Sequence, residues 1–435
     1  MSPRRKPPCL HPILELSLGQ RIGQLRAVPA CLGPDEPPAV LAAYCADFDV
    51  DPYVEMFFFP TDTLKLALFT CEGQILWQRD LGRAVVPGLW FCPVLAFDLD
   101  GDGTDEVWFV NNLNEQHPLG LSGYRLERLD ARTGRTTGQW LWHIGAAEQS
   151  LRNFILGGHA KGEPVLVTAQ GTYGPMFLQG WWPDMALRWQ AEIPTGVPGA
   201  RGSHMCPVTD VDGDGVEEIL WGERCVELGG GREVFCADRE GYRGHSDVIQ
   251  PVLDRRNGRW FLFTCRESHG DAAPRVALYD HRGGRVWGDL NHGHMDMGWV
   301  ARLGEGGRQV GMATRIGKKA CGPDGRFHEE VEQFTYDVLT GHELVRGAPG
   351  GNGEVLDRTG KVIGNVGGAV AMACKFMDLP GEQLLSYHSD GMTRIWADRN
   401  AADSHDAQRR YGHPFYQTNC RLSATGYNLC VLGGL

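Results

Sequence analysis

Two stretches of the chain are nearly the same sentence: FDLDGDGTDEVWFVNN, residues 97–112, and TDVDGDGVEEILWGER, residues 209–224. Each is an acidic, glycine-containing loop that runs straight into an apolar segment. With Glu106 and Glu218 as register marks, weaker copies fall at Glu55 (DPYVEMFFF), Pro164 (KGEPVLVTA), Trp260 (RNGRWFLFT), Gln309 (GGRQVGMAT) and Gln383 (PGEQLLSYH), which makes seven in all. Between the marks stand segments of another kind, among them 66–78, 127–142, 276–288, 335–345 and 353–366, with alternating residues around a Gly-, Asp- or Asn-bearing turn. Period-2 alternation broken by such a turn is the pattern of a β-hairpin. Two inner strands plus an outer hairpin make a four-stranded sheet, and a repeat of about 40 to 60 residues with four strands each is the pattern of a propeller blade. The expected fold is therefore all-β: one seven-bladed β-propeller over residues 1–435, with an N-terminal segment at 1–30 and insertion loops at 318–330 and 400–416.

Composition narrows the function. Asp plus Glu (54) outnumber Lys plus Arg (42), a net charge of -12, which excludes a general nucleic-acid binder because that role needs a basic surface. A hydrophobic fraction of 42% is ample for a packed core, and 59 glycines suit a chain of turns and short strands. No run of apolar residues is long enough to span a membrane. The N-terminus, MSPRRKPPCLHPILELSLGQ, has the basic start of a secretion signal but not its apolar core. The thirteen cysteines are scattered rather than framed, so reduced thiols and a cytoplasmic location are expected. Oligomeric state is not legible.

In each acidic loop the carboxylates fall at positions 1, 3, 5 and 9: Asp98, Asp100, Asp102 and Glu106, then Asp210, Asp212, Asp214 and Glu218. Gly103 and Gly215 at position 6 permit the sharp turn, and spaced oxygen ligands around such a turn suit Ca²⁺. The helix-loop-helix version of this site needs Glu at position 12, where Phe109 and Trp221 stand, and strands follow instead. The expected role of Ca²⁺ is structural, bracing a blade. Cys225 and Cys236 lie near each other across a hairpin and, with a histidine, offer zinc ligands, but without the C-x-x-C spacing of a structural zinc site.

The acidic loop joins the first strand of a blade to the second, so whatever precedes the first and follows the second lies on the opposite face. At that place blades four, five and six carry His204, His245 and His294; six residues after the mark they carry Arg224, Arg266 and Arg315. Three registered Arg and three registered His form a local anion site against an acidic background. Asn112 and His117 of blade two and Tyr173 of blade three extend that rim. Singly, each has a plain structural alternative: a hydrogen-bonded His at a strand end, or an Arg paired with Glu223 or Glu267.

The stretches RGSHMCPVTDVDGDGVEEILWGE, YRGHSD and NHGHMDMGW resemble the seven-bladed propeller polysaccharide lyases, of the ulvan lyase and rhamnose-glucuronate lyase type, related to propeller rhamnosidases and, through FG-GAP-like calcium loops, to rhamnogalacturonan lyases. The resemblance implies that His and Tyr side chains act as acid and base while Arg or His neutralises a uronate carboxylate. Carried over, it implies His204, Tyr242 and His245 as acid and base and Arg266 or Arg315 on the carboxylate; beside them the registered Arg224 and His294 and the rim residues Asn112, His117 and Tyr173 are expected to bind the anionic carbohydrate. The expected reaction is β-elimination at a rhamnose–uronate linkage. Two rival readings stay open: a hydrolase that releases terminal rhamnose, and a non-catalytic propeller that binds a glycan or a protein.

Overall fold

The computed structural model describes residues 7–142, 151–267, 274–289, 293–303, 305–321, 327–340, 342–347, 353–357 and 361–435. Seven four-stranded antiparallel sheets are arranged as blades. Their innermost strands, Gln24–Ala30, Val94–Phe97, Asn153–Ala160, Val208–Thr209, Ser246–Asp254, Met297–Ala301 and Ala369–Cys374, surround a common axis. Inner strands read as nearly continuous apolar runs because neighbouring blades cover both of their faces: Ala39–Cys45 is buried along its whole length. Outer strands are wetted on one face and alternate, as in Met392–Asp398.

The N-terminal segment is part of the ring. Leu10–Ser17 pairs antiparallel with Met392–Asp398 as the outermost strand of blade seven, from Leu10 opposite Asp398 to Ser17 opposite Met392. The N-terminal strand thus closes the circle by completing the last blade, and Gln24–Ala30 then opens blade one.

Three expectations are corrected. The mark at Glu55 does not begin a strand: the second strand of blade one is Ala39–Cys45, and Tyr53–Met56 is a turn in the loop that follows it. The apolar run MFFF imitates a strand but lies outside the sheet. At 318–330 the backbone continues a long hairpin whose pairing extends to Cys321 opposite Phe327, while residues 322–326 lie outside the described residues. A separate hairpin, Glu354–Leu356 with Val362–Asn365, accounts for the rest of the long sixth spacing.

The third correction bears on the site. Residues 400–416 are not a polar loop but lead into two short helices, His405–Tyr411 and Pro414–Cys420. Ser404 caps the first by accepting from the Ala407 amide, and Pro414 starts the second where a missing N–H costs nothing. The tail that follows runs through the middle of the ring. Ser423 Oγ donates to the Ala27 carbonyl of blade one, and Asn428 Oδ1 accepts from the Cys206 amide of blade four. Gln250 Nε2 donates to Val431 O, and Gln309 Nε2 to Gly434 O. The propeller's central channel is therefore filled by its own C-terminus. Among the described residues no helix is long and apolar enough to cross a membrane.

Candidate active site

A cavity of about 1460 Å³ opens on the face opposite the acidic loops. It is lined by residues that precede inner strands (Arg152, His204, His245, His294, Asp296) or stand at the start of one (Asp247), follow second strands (Tyr173, Glu267), or come from the blade-one loop (Asp49, Asp51, Tyr53) and the C-terminal tail (Tyr427, Leu429).

Local backbone pairing stacks the two central histidines. The segments entering blades four and five run side by side: Ser203 and Ser246 form a parallel bridge, Arg201 N donates to Gly244 O (2.7 Å) and His204 N to Ser246 O (3.1 Å). The His204 and His245 rings consequently stack at 5.2 Å. Tyr427 N donates to the His204 carbonyl at 2.7 Å, so the tail buttresses the same segment.

Around these rings the polar groups converge. The Tyr173 hydroxyl lies 3.1 Å from His204 Nε2, and His204 Nδ1 lies 3.3 Å from Asp247 Oδ1. His245 Nε2 meets Glu267 Oε2. His294 Nε2 is 3.4 Å from Glu267 and 3.1 Å from Asp296. Burial, the Arg152 charge and His245 hold His204 well below its ordinary pKa, so its ring is neutral. Burial and then the neighbouring Glu267 push Asp247 well up. Burial also raises Glu267, but hydrogen bonds from His245 and His294 outweigh it and hold that carboxyl low. Hydrogen bonds to Asp296 and Glu267 draw His294 up to about 9.

His204, His245, Asp247 and Glu267 present ligand atoms within 4.8 Å of one another. His204 Nδ1 and Asp247 Oδ1 are both buried without a hydrogen-bond partner. With the ring proton on Nε2, two acceptors face each other 3.3 Å apart, an arrangement that requires a cation or a proton between them. Two imidazoles and two carboxylates are a donor set that fits a divalent ion. No group of three candidate ligands among the described residues contains a cysteine.

Tyr173 is the phenol that reaches this cluster. It adopts φ +74, which a bulky side chain rarely tolerates, and such strain is concentrated at functional sites. Arg152 lies 5.0 Å from its ring and is itself gripped by Asp51 through two contacts of 3.1 and 3.2 Å. Trp90 Nε1 also donates to Asp51 (3.0 Å).

Several expected site residues serve elsewhere. Tyr242 borders the cavity, but its hydroxyl donates to the His245 carbonyl and its face is covered by the Arg266 guanidinium at 3.8 Å. Arg266 is fully buried, bound to Glu223 (2.7 Å), Asp238 (3.2 Å) and the Tyr279 hydroxyl (2.6 Å). Arg224 is equally buried, on Glu233 and the carbonyls of Pro198 and Ala200. These two cations build blades and do not receive an anion. Arg315 pairs with Glu332, Asn112 with the Pro118 carbonyl, and neither these nor His117 borders the cavity. The guanidinium groups that border it are Arg26, Arg152, Arg201 and Arg243. Of the residues not anticipated, Asp247 and Asp296 lie two positions after a singled-out histidine in HSD and HMD, a spacing that could have flagged them. Asp51 and Tyr427 come from a loop and a tail with no counterpart in other blades, and Arg152 precedes an inner strand as the histidines do but is of another residue type.

On the opposite face both acidic loops close as expected. Asp98 accepts from the Gly101, Asp102 and Gly103 amides, and Asp210 from the Gly213, Asp214 and Gly215 amides. Asp98, Asp100 and Asp102 cluster, as do Asp210, Asp212 and Glu218. Burial and the surrounding carboxylates drive Glu106 up to about 7 and Glu218 up to about 8.

No protein-family model matches the chain. Its sequence is 23% identical over 431 residues to the rhamnogalacturonan exolyase YesX of Bacillus subtilis (strain 168), covering 85% of this chain and 70% of that one. It is also 23% identical over 267 residues to the rhamnogalacturonan endolyase YesW of the same organism, covering 50% of this chain and 42% of that one. Its fold superposes on the crystal structure of YesW with a TM-score of 0.73 at 17% identity (97% and 81% covered). On the exotype YesX structure the TM-score is 0.71 at 16% identity (95% and 80% covered). In sequence and in fold, this chain is similar to propeller-bearing rhamnogalacturonan lyases.

Proposed function

We propose that the protein is a polysaccharide lyase that cleaves a rhamnose–uronate glycan by β-elimination. One observation carries the reading: a phenol hydrogen-bonded to a neutral histidine, beside four convergent ligand groups, lies in the axial cavity of a chain alignable over 85% of its length with a rhamnogalacturonan exolyase.

Elimination breaks the C5–H bond of the uronate, forms the C4–C5 double bond and expels the oxygen at carbon 4. The proton on carbon 5 is too weakly acidic to leave until the adjacent carboxylate is neutralised. Arg243, exposed at the cavity rim, and Arg26 deeper inside present the guanidinium geometry that receives a carboxylate. Tyr173 withdraws the proton in its ionised form, its own phenolic proton having first passed to solvent; burial pushes this phenol up, and Arg152 beside the ring and an Nε2–H of His204 oppose that push and steady the phenolate. The same hydroxyl then returns a proton to the leaving oxygen. A divalent ion on His204, His245, Asp247 and Glu267 would supply further charge to neutralise the uronate. Ca²⁺ in the two acidic loops is proposed as a separate, structural requirement.

The test is incubation with rhamnose–uronate oligosaccharides while following the ultraviolet absorbance of an unsaturated uronate and the product mass. Absorbance that rises with no gain of water is the expected result. Gain of water with no double bond establishes a hydrolase instead, and binding without turnover a glycan-binding propeller.

A further inference from the structure

The loop between the second and third strands of blade one, residues 46–64, displays an unusual amount of apolar surface. Phe48 is 76% exposed, Val54 83% and Phe59 82%, and Tyr53, Met56 and Phe58 are also exposed. Patches of this kind on an ordered surface mark contact sites.

The loop is held, not frayed. Asp47 clasps its far end by accepting from the Thr61 amide (2.6 Å), the Thr61 hydroxyl (2.9 Å) and the Asp62 amide (2.8 Å). Asp49 accepts from Leu89 N at 2.8 Å, Val50 N donates to Pro87 O at 3.1 Å, and Val50 is buried against Val86 and Phe91. Asp51 accepts from Tyr53 N and grips Arg152. Phe57 packs edge-on against both Phe59 (5.2 Å) and Phe91 (6.3 Å). The carboxylates of Asp47, Asp49 and Asp51 are thus engaged in anchoring, which leaves an outer face of aromatic and aliphatic groups with Glu55 as its exposed charge.

That face is continuous with the active-site cavity, which Tyr53 and Met56 also line. We infer that residues 48–59 form a stacking platform for the sugar units that extend beyond the cleaved linkage, an inference that rests on the lyase reading. The occupant is the glycan because this face is continuous with the cavity that takes the cleaved linkage, so that units beyond that linkage can lie across it. Aromatic rings accept the C–H faces and methyl groups of deoxysugars, and the paired carboxylates do not repel uronates.

The experiment compares kcat/KM for a long rhamnose–uronate oligosaccharide with that for the shortest one cleaved, in the wild type and in Phe48→Ala/Phe59→Ala. The ratio of long to short is expected to fall about tenfold in the variant, through KM rather than kcat, with the thermal midpoint unchanged. An unchanged ratio in a folded variant overturns the platform while leaving the lyase intact. Sedimentation showing a wild-type dimer that the variant dissociates also overturns it, because the patch is then a contact between copies. If the wild type neither cleaves nor binds any glycan of the series, the underlying reading fails and the platform with it.

Discussion

Replacing Arg421 by Met tests how the C-terminal tail is held in the propeller's axis. Arg421 caps the helix Pro414–Cys420 and ion-pairs with Asp105, whose side chain is wholly buried and which also accepts from the Cys31 amide at 2.6 Å. Asp105 occupies position 8 of the first acidic loop, so this pair ties that loop to the tail. Burial already pushes its carboxyl up, and Arg421 is the charge that opposes the push. Removing one partner of a buried pair costs about 3–5 kcal/mol. Arg421 is about a quarter exposed and Asp105 can take up a proton, so the lower end, about 3 kcal/mol, is expected. With an unfolding entropy of about 2.1 cal/mol/K per residue over 435 residues, that lowers the thermal midpoint by about 3 °C. Calorimetry is the assay, and Asp105→Asn combined with Arg421→Met should recover at least half of the loss. A single variant within about 1 °C of wild type, or a double variant whose loss is the sum of the singles, would refute the reasoning.

Other expectations concern the site and the loops. Tyr173→Phe should lower kcat by about 10²–10⁴-fold with little change in midpoint, since its hydroxyl is asked to move a proton. Tyr242→Phe should behave oppositely, losing about 1 kcal/mol of stability with the His245 carbonyl bond while kcat stays within a few-fold; the reverse ranking would return the catalytic role to Tyr242. Chelation of divalent ions should lower the midpoint of the wild type, and Asp212→Ala should show a smaller response; equal midpoints with and without chelator would sink structural metal in these loops. Asp247→Asn should weaken retention of a divalent ion, measured by elemental analysis after dialysis, while leaving the acidic-loop response to chelator intact.

What was legible in the sequence followed from periodicity. A loop such as DLDGDG closes on its own amides and needs no tertiary partner, so its form survives into the structure unchanged. Repetition then fixes a face: His204, His245 and His294 stand at equivalent points of adjacent blades and all border the cavity. Blade one escaped this reasoning because DPYVEMFFF carries the apolar run of a strand without its place in a sheet. The equivalent strand is Ala39–Cys45, which makes Gln24 the residue that opens the blade toward the cavity.

Register gives position but not partnership, and the arginines show the difference. Arg266 ends the second strand of blade five, whereas in blade four that strand stops at Trp221 and Arg224 already begins the third. Both are consumed by acids, the buried Glu223 and the partly exposed Glu233, that no repeat pattern could assign. The two tyrosines separate for a related reason. Tyr242 sits in a turn whose hydroxyl is captured three residues on by the His245 carbonyl, while the φ +74 backbone of Tyr173 brings its phenol to His204 across a blade boundary. A backbone sign and a donor's nearest acceptor are tertiary facts, and they decide which phenol is available for chemistry. The tail is the extreme case: Tyr427 reaches His204 from a segment that repeats nothing. Its position depends on Asp105 and on Glu217, which accepts from Thr418 at 3.0 Å. Both acids stand next to the last carboxylate of a metal-type loop, so the face that carries the cavity is braced through the axis by the face that carries the loops.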